Sequence, residues 1–218
     1  MKKILLLMLV SVPIVCYAQG LRNKGTSVDD LVPEGWTHTE AEGDMNGDGL
    51  QDLVIITTPN YKEGLKERED GYVYNLNIPV LAIYFRQADG RLSLFKKYED
   101  IMPEPSEFVS WEHTLNITDR GVLRIGLSSW ASAGSSDTGG PTFVLRFQNG
   151  DFYLIGKDSM EHSRMTGDAI ELSENYLSWK RQTKTFNMFD SDVPEKEKWE
   201  KLPRRPLKRL GEFSLDGF

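Results

Sequence analysis

Asp44-Met45-Asn46-Gly47-Asp48-Gly49-Leu50-Gln51-Asp52-Leu53-Val54-Ile55-Ile56 joins a polar loop directly to an apolar run. Oxygen-bearing side chains recur at every second position, at Asp44, Asn46 and Asp48. That alternation is what a calcium loop requires, because the side chains converge on one ion while Gly49 permits the sharp reversal that turns the Leu50 carbonyl toward it. Asp52 is placed to close the shell, directly or through water. Leu53-Val54-Ile55-Ile56-Thr57-Thr58 is β-branched and stops at Pro59-Asn60, which reads as a strand.

Strand signals continue outward. Val80-Leu81-Ala82-Ile83-Tyr84-Phe85 is a second apolar run that ends at Ala88-Asp89-Gly90, and Arg91-Leu92-Ser93-Leu94-Phe95 returns as its hairpin partner. Phe143-Val144-Leu145-Arg146-Phe147 and Phe152-Tyr153-Leu154-Ile155-Gly156 flank another turn, Gln148-Asn149-Gly150-Asp151, whose Asn-Gly pair supplies the positive φ angles of a tight hairpin. The two hairpins read as copies of one unit. Each has a glutamine (Gln87, Gln148) before its turn and a return strand that reaches a lysine (Lys96, Lys157). Upstream of each sits another turn and strand, Asp48-Gly49 before Leu53 and Asp119-Arg120-Gly121 before Val122. A third copy is expected in Ala169-Ile170-Glu171-Leu172, Asn175-Tyr176-Leu177-Ser178-Trp179-Lys180 and residues 207–213.

The expected fold is all-β, mostly antiparallel and hairpin-rich, with two to three propeller-blade-like repeats of about 50 residues; the alternative is a β-sandwich. Three units are too few to close a full propeller. Residues 60–77 are charged and read as a solvated loop, and residues 128–141, small and polar apart from Trp130, as a long flexible one. The basic stretch around Pro203 and Pro206 reads as an irregular crossing segment.

The polar loop departs from an EF-hand twice. Ile55 stands where an EF-hand carries its closing glutamate, and a strand follows where an exit helix would start. On Asp44, Asn46, Asp48, Gly49, Asp52 and Leu53, with Gly43 just before, the chain resembles FG-GAP and VCBS-type repeats, secreted or cell-surface β modules whose D-x-[DN]-x-D-G-x-x-D-[LIV] loop precedes a strand. The likeness spans about 15 residues. It implies an ion that braces a turn between strands: a structural calcium with Asp44, Asn46, Asp48, Leu50 and Asp52 as ligands.

Residues 1–18 read as a secretory signal, with Lys2-Lys3, an apolar core from Ile4 to Val15, and Cys16-Tyr17-Ala18 before the cut. Ile14-Val15 argue against a lipoprotein cysteine at Cys16, where small residues usually precede. The chain is therefore expected in the periplasm or outside the cell, with a flexible lead at 19–26, a single β domain at 27–218 and no transmembrane segment after signal removal. Cys16 is the only cysteine, so the exported chain would carry no disulfide. The net charge is −7, and loss of Lys2 and Lys3 takes it to about −9. Such a balance speaks against nucleic acid as a partner, is compatible with cation binding and serves solubility; the expected partner is an unidentified protein or glycan ligand.

Other motifs carry less. Asp137-Thr138-Gly139 copies an aspartic-protease tripeptide but lacks both the apolar lead-in strand and a second copy. His38, His113 and His162 have no zinc spacing, and no nucleophile elbow or phosphate-cradling glycine loop is present. Trp130 and Trp199 lie in loop-like surroundings suited to stacking on a sugar or anchoring a partner. The expected function is a non-enzymatic binding or scaffolding role, with a secreted hydrolase acting on polysaccharide or peptide as the alternative.

Overall fold

A computed structural model of the chain describes residues 20–216; the expected signal, including Cys16, lies outside the described residues. In chain order come β1 (Lys24–Gly25), the short helix α1 (Val28–Leu31), β2 (Thr37–Gly43), β3 (Asp52–Thr58), β4 (Leu65–Glu67), β5 (Val73–Asn75), β6 (Val80–Arg86) and β7 (Leu92–Tyr98). There follow β8 (Val109–Ile117), β9 (Val122–Ala131), β10 (Asp137–Gln148), β11 (Asp151–Ser163), β12 (Asp168–Asn175), β13 (Lys180–Asn187) and β14 (Lys196–Lys201). Five strands form one sheet in the order β1-β7-β6-β3-β2, seven form a meander from β8 to β14, and β4 pairs with β5 alone. All these pairings are antiparallel, so the protein is all-β and hairpin-rich. The layout is compatible with a sandwich and with blade-like units.

β3 explains its own sequence. Val54 and Ile56 point into the main core with Leu81, Ile83, Leu123, Ile125 and Phe143, residues drawn from both large sheets. Leu53 and Ile55 point the other way, into a second core where Leu31 and Val32 cover Ala82, Tyr84 and Leu92. A strand buried on both faces reads as an unbroken apolar run, because neither set of alternate positions meets water. Tyr84, with no exposed surface, sends its hydroxyl to the Arg22 carbonyl at 3.0 Å, and burial pushes its phenol up to about 12.

The two hairpins read as copies, β6–β7 and β10–β11, face each other across the main core. Phe85 and Phe95 from the first meet Phe147 and Phe152 from the second, with ring centroids 5.1 Å apart for Phe85–Phe147 and 5.5 Å for Phe95–Phe147. Each hairpin also carries a register shift of one residue, between Ile83 and Tyr84 in one and between Val144 and Leu145 in the other. The extra residues, Phe95 and Ile155, lie on the return strands. One bulge per unit increases local twist, which curls each hairpin toward its opposite number.

Two expectations need correction. Residues 128–141 are mostly strand: β9 extends to Ala131 and β10 begins at Asp137, leaving a short turn. β10 is an inner strand with ladders on both sides, and backbone pairing to Ser129 and Glu161 overrides the weak β preference of Asp137, Gly139, Gly140 and Pro141. The third copy is displaced. Asn175 Oδ1 accepts from the N–H groups of Leu177 (3.0 Å) and Ser178 (2.8 Å), so Asn175-Tyr176-Leu177-Ser178-Trp179-Lys180 closes a turn and the strands are β12, β13 and β14. Residues 207–213 supply only an isolated bridge, Tyr153 to Arg209. From Gly20 onward the N-terminal segment also has backbone partners. β1 adds to the edge of the five-stranded sheet, Leu94 N–H reaches the Asn23 carbonyl at 2.8 Å, and Arg22 N–H the Leu31 carbonyl at 2.9 Å. Backbone pairing of this kind leaves no periodic signature in so short a segment.

Where the sheets meet, β2 runs beside β8, and the β8–β9 turn closes on the start of the polar loop. Gly121 takes φ +68°, and a Cβ there would lie 2.5 Å from the Asp44 carbonyl oxygen. Both the conformation and the contact exclude a side chain. Gly121→Ala is therefore expected to lower unfolding free energy by about 1–3 kcal/mol, read as a lower denaturant midpoint with an unchanged slope.

Candidate functional site

The polar loop folds on its own side chains. Asp44 Oδ1 accepts from the N–H groups of Gly47 (2.7 Å) and Asp48 (3.2 Å), and its Oδ2 from Gly49 (2.8 Å). Asn46 Oδ1 accepts from Asp48 N–H at 2.9 Å, and Asp48 Oδ1 from Leu50 N–H at 2.9 Å. These are successive Asx turns, in which an alternate pattern of short acceptors bends the backbone back on itself. Gly49 makes the expected reversal at φ +84°. Asn46 Nδ2 donates to Asp48 Oδ2 at 3.0 Å, so Asp44, Asn46 and Asp48 are drawn into one turn.

Asp52 is used differently. It is fully buried, with Oδ2 accepting from Met45 N–H at 2.9 Å and Oδ1 from Arg86 N–H at 3.0 Å. Desolvation pushes its carboxyl above the ordinary range and the charge of Asp48 adds to that, while the two N–H donors oppose it. Both oxygens thus hold the base of the loop to the end of β6. The Arg86 side chain completes the base, with Nε donating to the Gln51 carbonyl at 2.6 Å and its two amino groups reaching the Gly90 carbonyl (3.2 Å) and Glu42 Oε1 (2.9 Å). Met45, 4% exposed, plugs the loop into the main core. Nothing in the local pattern around Arg86 marks it, because its partners lie four to 44 residues away.

The donor set suits a hard cation. Two carboxylates, an amide oxygen and the Leu50 carbonyl are all oxygens, the ligand type calcium takes, and Asp52 adds its charge from beneath. Among the described residues, no three His, Cys, Asp or Glu side chains gather in metal-binding geometry, so the loop's case rests on its mixed donors.

A second feature lies at the other end of β3. A groove of about 550 Å³ opens beside Thr58, between the β4–β5 hairpin, residues 103–111 and Trp130. Tyr72, Tyr74, Phe108, Trp111 and Trp130 line it, and Tyr72 (60%), Phe108 (62%) and Trp130 (48%) keep much of their surface exposed. Arg164 stacks on Trp130 with 4.6 Å to the ring centre. The acids of the groove are both paired: Asp70 with Arg68, Nε to Oδ1 at 3.0 Å, and Glu107 with Lys66 at 3.6 Å. The Arg68 hydrogen bonds hold the Asp70 carboxyl below its ordinary range. Trp199 lies on β14, away from this groove, and Asp137 opens β10 as an exposed residue.

The chain was compared with protein-family models, with curated proteins and with solved structures, and none of the three comparisons produced a match.

Two outcomes follow for stability. Asp52→Ala leaves the Met45 and Arg86 N–H groups buried without acceptors, and is expected to cost about 2–4 kcal/mol in chelator as well as in calcium, measured by denaturant unfolding. His113, on the core-facing side of β8, has a buried Nε2 with no partner, and burial holds its imidazole below the ordinary 6.5. The unfolded chain therefore takes up this proton first. The His113 contribution to stability is complete above about pH 6.5 and is lost as pH falls through that value toward the folded one. Unfolding free energies measured across pH 5 to 7.5, roughly the window of histidine titration, should show a smaller acid-side decline in His113→Phe.

Proposed function

We propose that the chain is an exported β module, periplasmic or secreted, in which calcium at the loop of Asp44, Asn46, Asp48, Leu50 and Asp52 is a structural brace and whose role is binding, not catalysis. One observation carries the reading. Asp44, Asn46 and Asp48 are linked by hydrogen bonds within a single turn, whose Met45 N–H is held by the buried Asp52 and whose Asp44 backbone carbonyl packs against Gly121 of the β8–β9 turn. A cation held there would neutralise carboxylates that otherwise repel one another. The chain's own residues do the remainder: Asx turns shape the loop, Met45 seats it, and Asp52 with Arg86 ties it to β6.

Export is supported by the signal-like residues 1–18, and membership among FG-GAP or VCBS-type modules by the loop residues alone. Position supports a structural ion over a catalytic one. β3 starts at the loop and ends at the aromatic groove, so seven strand residues, about 20 Å, separate the two. The groove is where a glycan or protein ligand would sit, its exposed rings offering apolar faces and its paired charges leaving little net field. Paired acids also weigh against the hydrolase alternative.

Thermal unfolding with calcium and with chelator tests the brace. Calcium at about ten to a hundred times its dissociation constant stabilises a one-site protein by about 1.4–2.7 kcal/mol, which for a chain of this size raises Tm by about 3–10 °C. Asp44→Ala combined with Asp48→Ala should abolish the rise. A wild-type Tm that ignores millimolar calcium would sink the proposal.

A further inference from the structure

Residues 201–209, Lys-Leu-Pro-Arg-Arg-Pro-Leu-Lys-Arg, hold five cations and no acid in a chain of net charge −7. The segment leaves β14 and crosses the β12–β13 turn in an extended path. Leu202 N–H donates to the Trp179 carbonyl at 2.8 Å, and the Lys208 carbonyl accepts from Leu154 N–H at 2.9 Å, so both ends are held. Strand register places Lys180 directly opposite Lys201, a like-charge pair that is unfavourable within the protein itself. Arg181 is neutralised by Glu174 and Arg209 by Glu212. Lys180, Lys201, Arg204 and Arg205 form no ion pair among the described residues and are exposed.

The neighbouring turn is apolar at its tip. Leu177 is 50% exposed there. Trp179 follows at φ +56°, in the left-handed region that a bulky side chain rarely enters and that glycine or asparagine would occupy without strain. A small cavity of about 270 Å³ lies between turn and crossing segment, lined by Tyr176, Trp179, Leu202 and Pro206 together with Arg205 and Lys208. Its one acid, Glu174, is occupied by Arg181 and the Tyr176 hydroxyl. Unpaired cations thus flank an exposed leucine and a strained tryptophan.

We propose that this end of the molecule docks on an anionic membrane surface, with Lys180, Lys201, Arg204 and Arg205 meeting phospholipid phosphates and Leu177 entering the interface beside Trp179. Charge complementarity selects an anionic partner. The exposed leucine selects a lipid surface over a soluble polyanion, which would satisfy the cations but leave Leu177 in water. This site is separate from the calcium loop and does not depend on it.

The test is co-sedimentation of the chain lacking residues 1–18 with phosphatidylcholine vesicles, and with vesicles in which roughly a third of the lipid is phosphatidylglycerol. Chelator is present throughout, so that calcium neither bridges lipids nor enters the result. The protein is expected to pellet with the anionic vesicles alone and to be released by added salt. Arg204→Gln with Arg205→Gln should weaken partitioning about 25-fold, about fivefold per cation, while Arg204→Lys with Arg205→Lys should retain it. Leu177→Ser should weaken it about fivefold or more. All the substituted side chains are exposed, and matched Tm values confirm that the variants fold. Absence of binding to anionic vesicles, or equal binding to neutral ones, overturns the proposal. Full affinity in Leu177→Ser overturns it too, because charge alone would then explain the attraction and a soluble polyanion would be the better reading.

Discussion

A buried carboxylate that must be satisfied organises this protein. Asp52 has no exposed surface, and an ion so placed is tolerated only when donors surround it. The donors are the backbone N–H groups of Met45 and Arg86, one from the far side of the polar loop and one from the end of β6. Satisfying Asp52 therefore closes the loop and fixes it to the sheet in one step. Arg86, its backbone already committed, is left with its guanidinium directed at Gln51, Gly90 and Glu42, so that loop, hairpin turn and edge strand share a single anchor.

From that anchor β3 runs through the middle of the molecule, buried on both faces. One face joins the two large sheets through the paired hairpins and their four phenylalanines, and the other is roofed by the N-terminal segment and α1. The surface features lie at the margins of this frame. The loop sits where β3 begins, the aromatic groove where it ends, and the basic crossing segment runs from the end of β14 over the β12–β13 turn to β11, where Leu154 N–H donates to the Lys208 carbonyl. Under the proposed function, separation of this kind would let an ion at the loop stiffen the frame without touching a ligand in the groove.

Legibility in the sequence followed the range of the interactions. The runs at Leu53, Val80, Phe143 and Phe152 were readable because burial is written in residue type, and the Asn149-Gly150 turn because backbone conformation is. The alternation of Asp44, Asn46 and Asp48 was readable because Asx turns are local. The strand through residues 137–142 was hidden, since Asp137, Gly139, Gly140 and Pro141 carry no β signal and only two neighbouring ladders make the segment extend. The Asn175 turn is masked in the sequence because Tyr176, Leu177 and Trp179 imitate an apolar run, while the deciding hydrogen bonds go to one asparagine oxygen.

By itself the sequence determined the all-β class, the principal hairpins and the polar loop with its calcium-type spacing, all of which depend on side-chain chemistry within a few residues. Only the tertiary structure decided that Asp52 faces inward to Met45 and Arg86, that Gly121 closes on Asp44, and that aromatic residues from three separate segments line one groove. Those contacts join residues tens of positions apart. Burial there is a property of the assembled sheets, and no local pattern records which distant backbone will supply a buried charge with its donors.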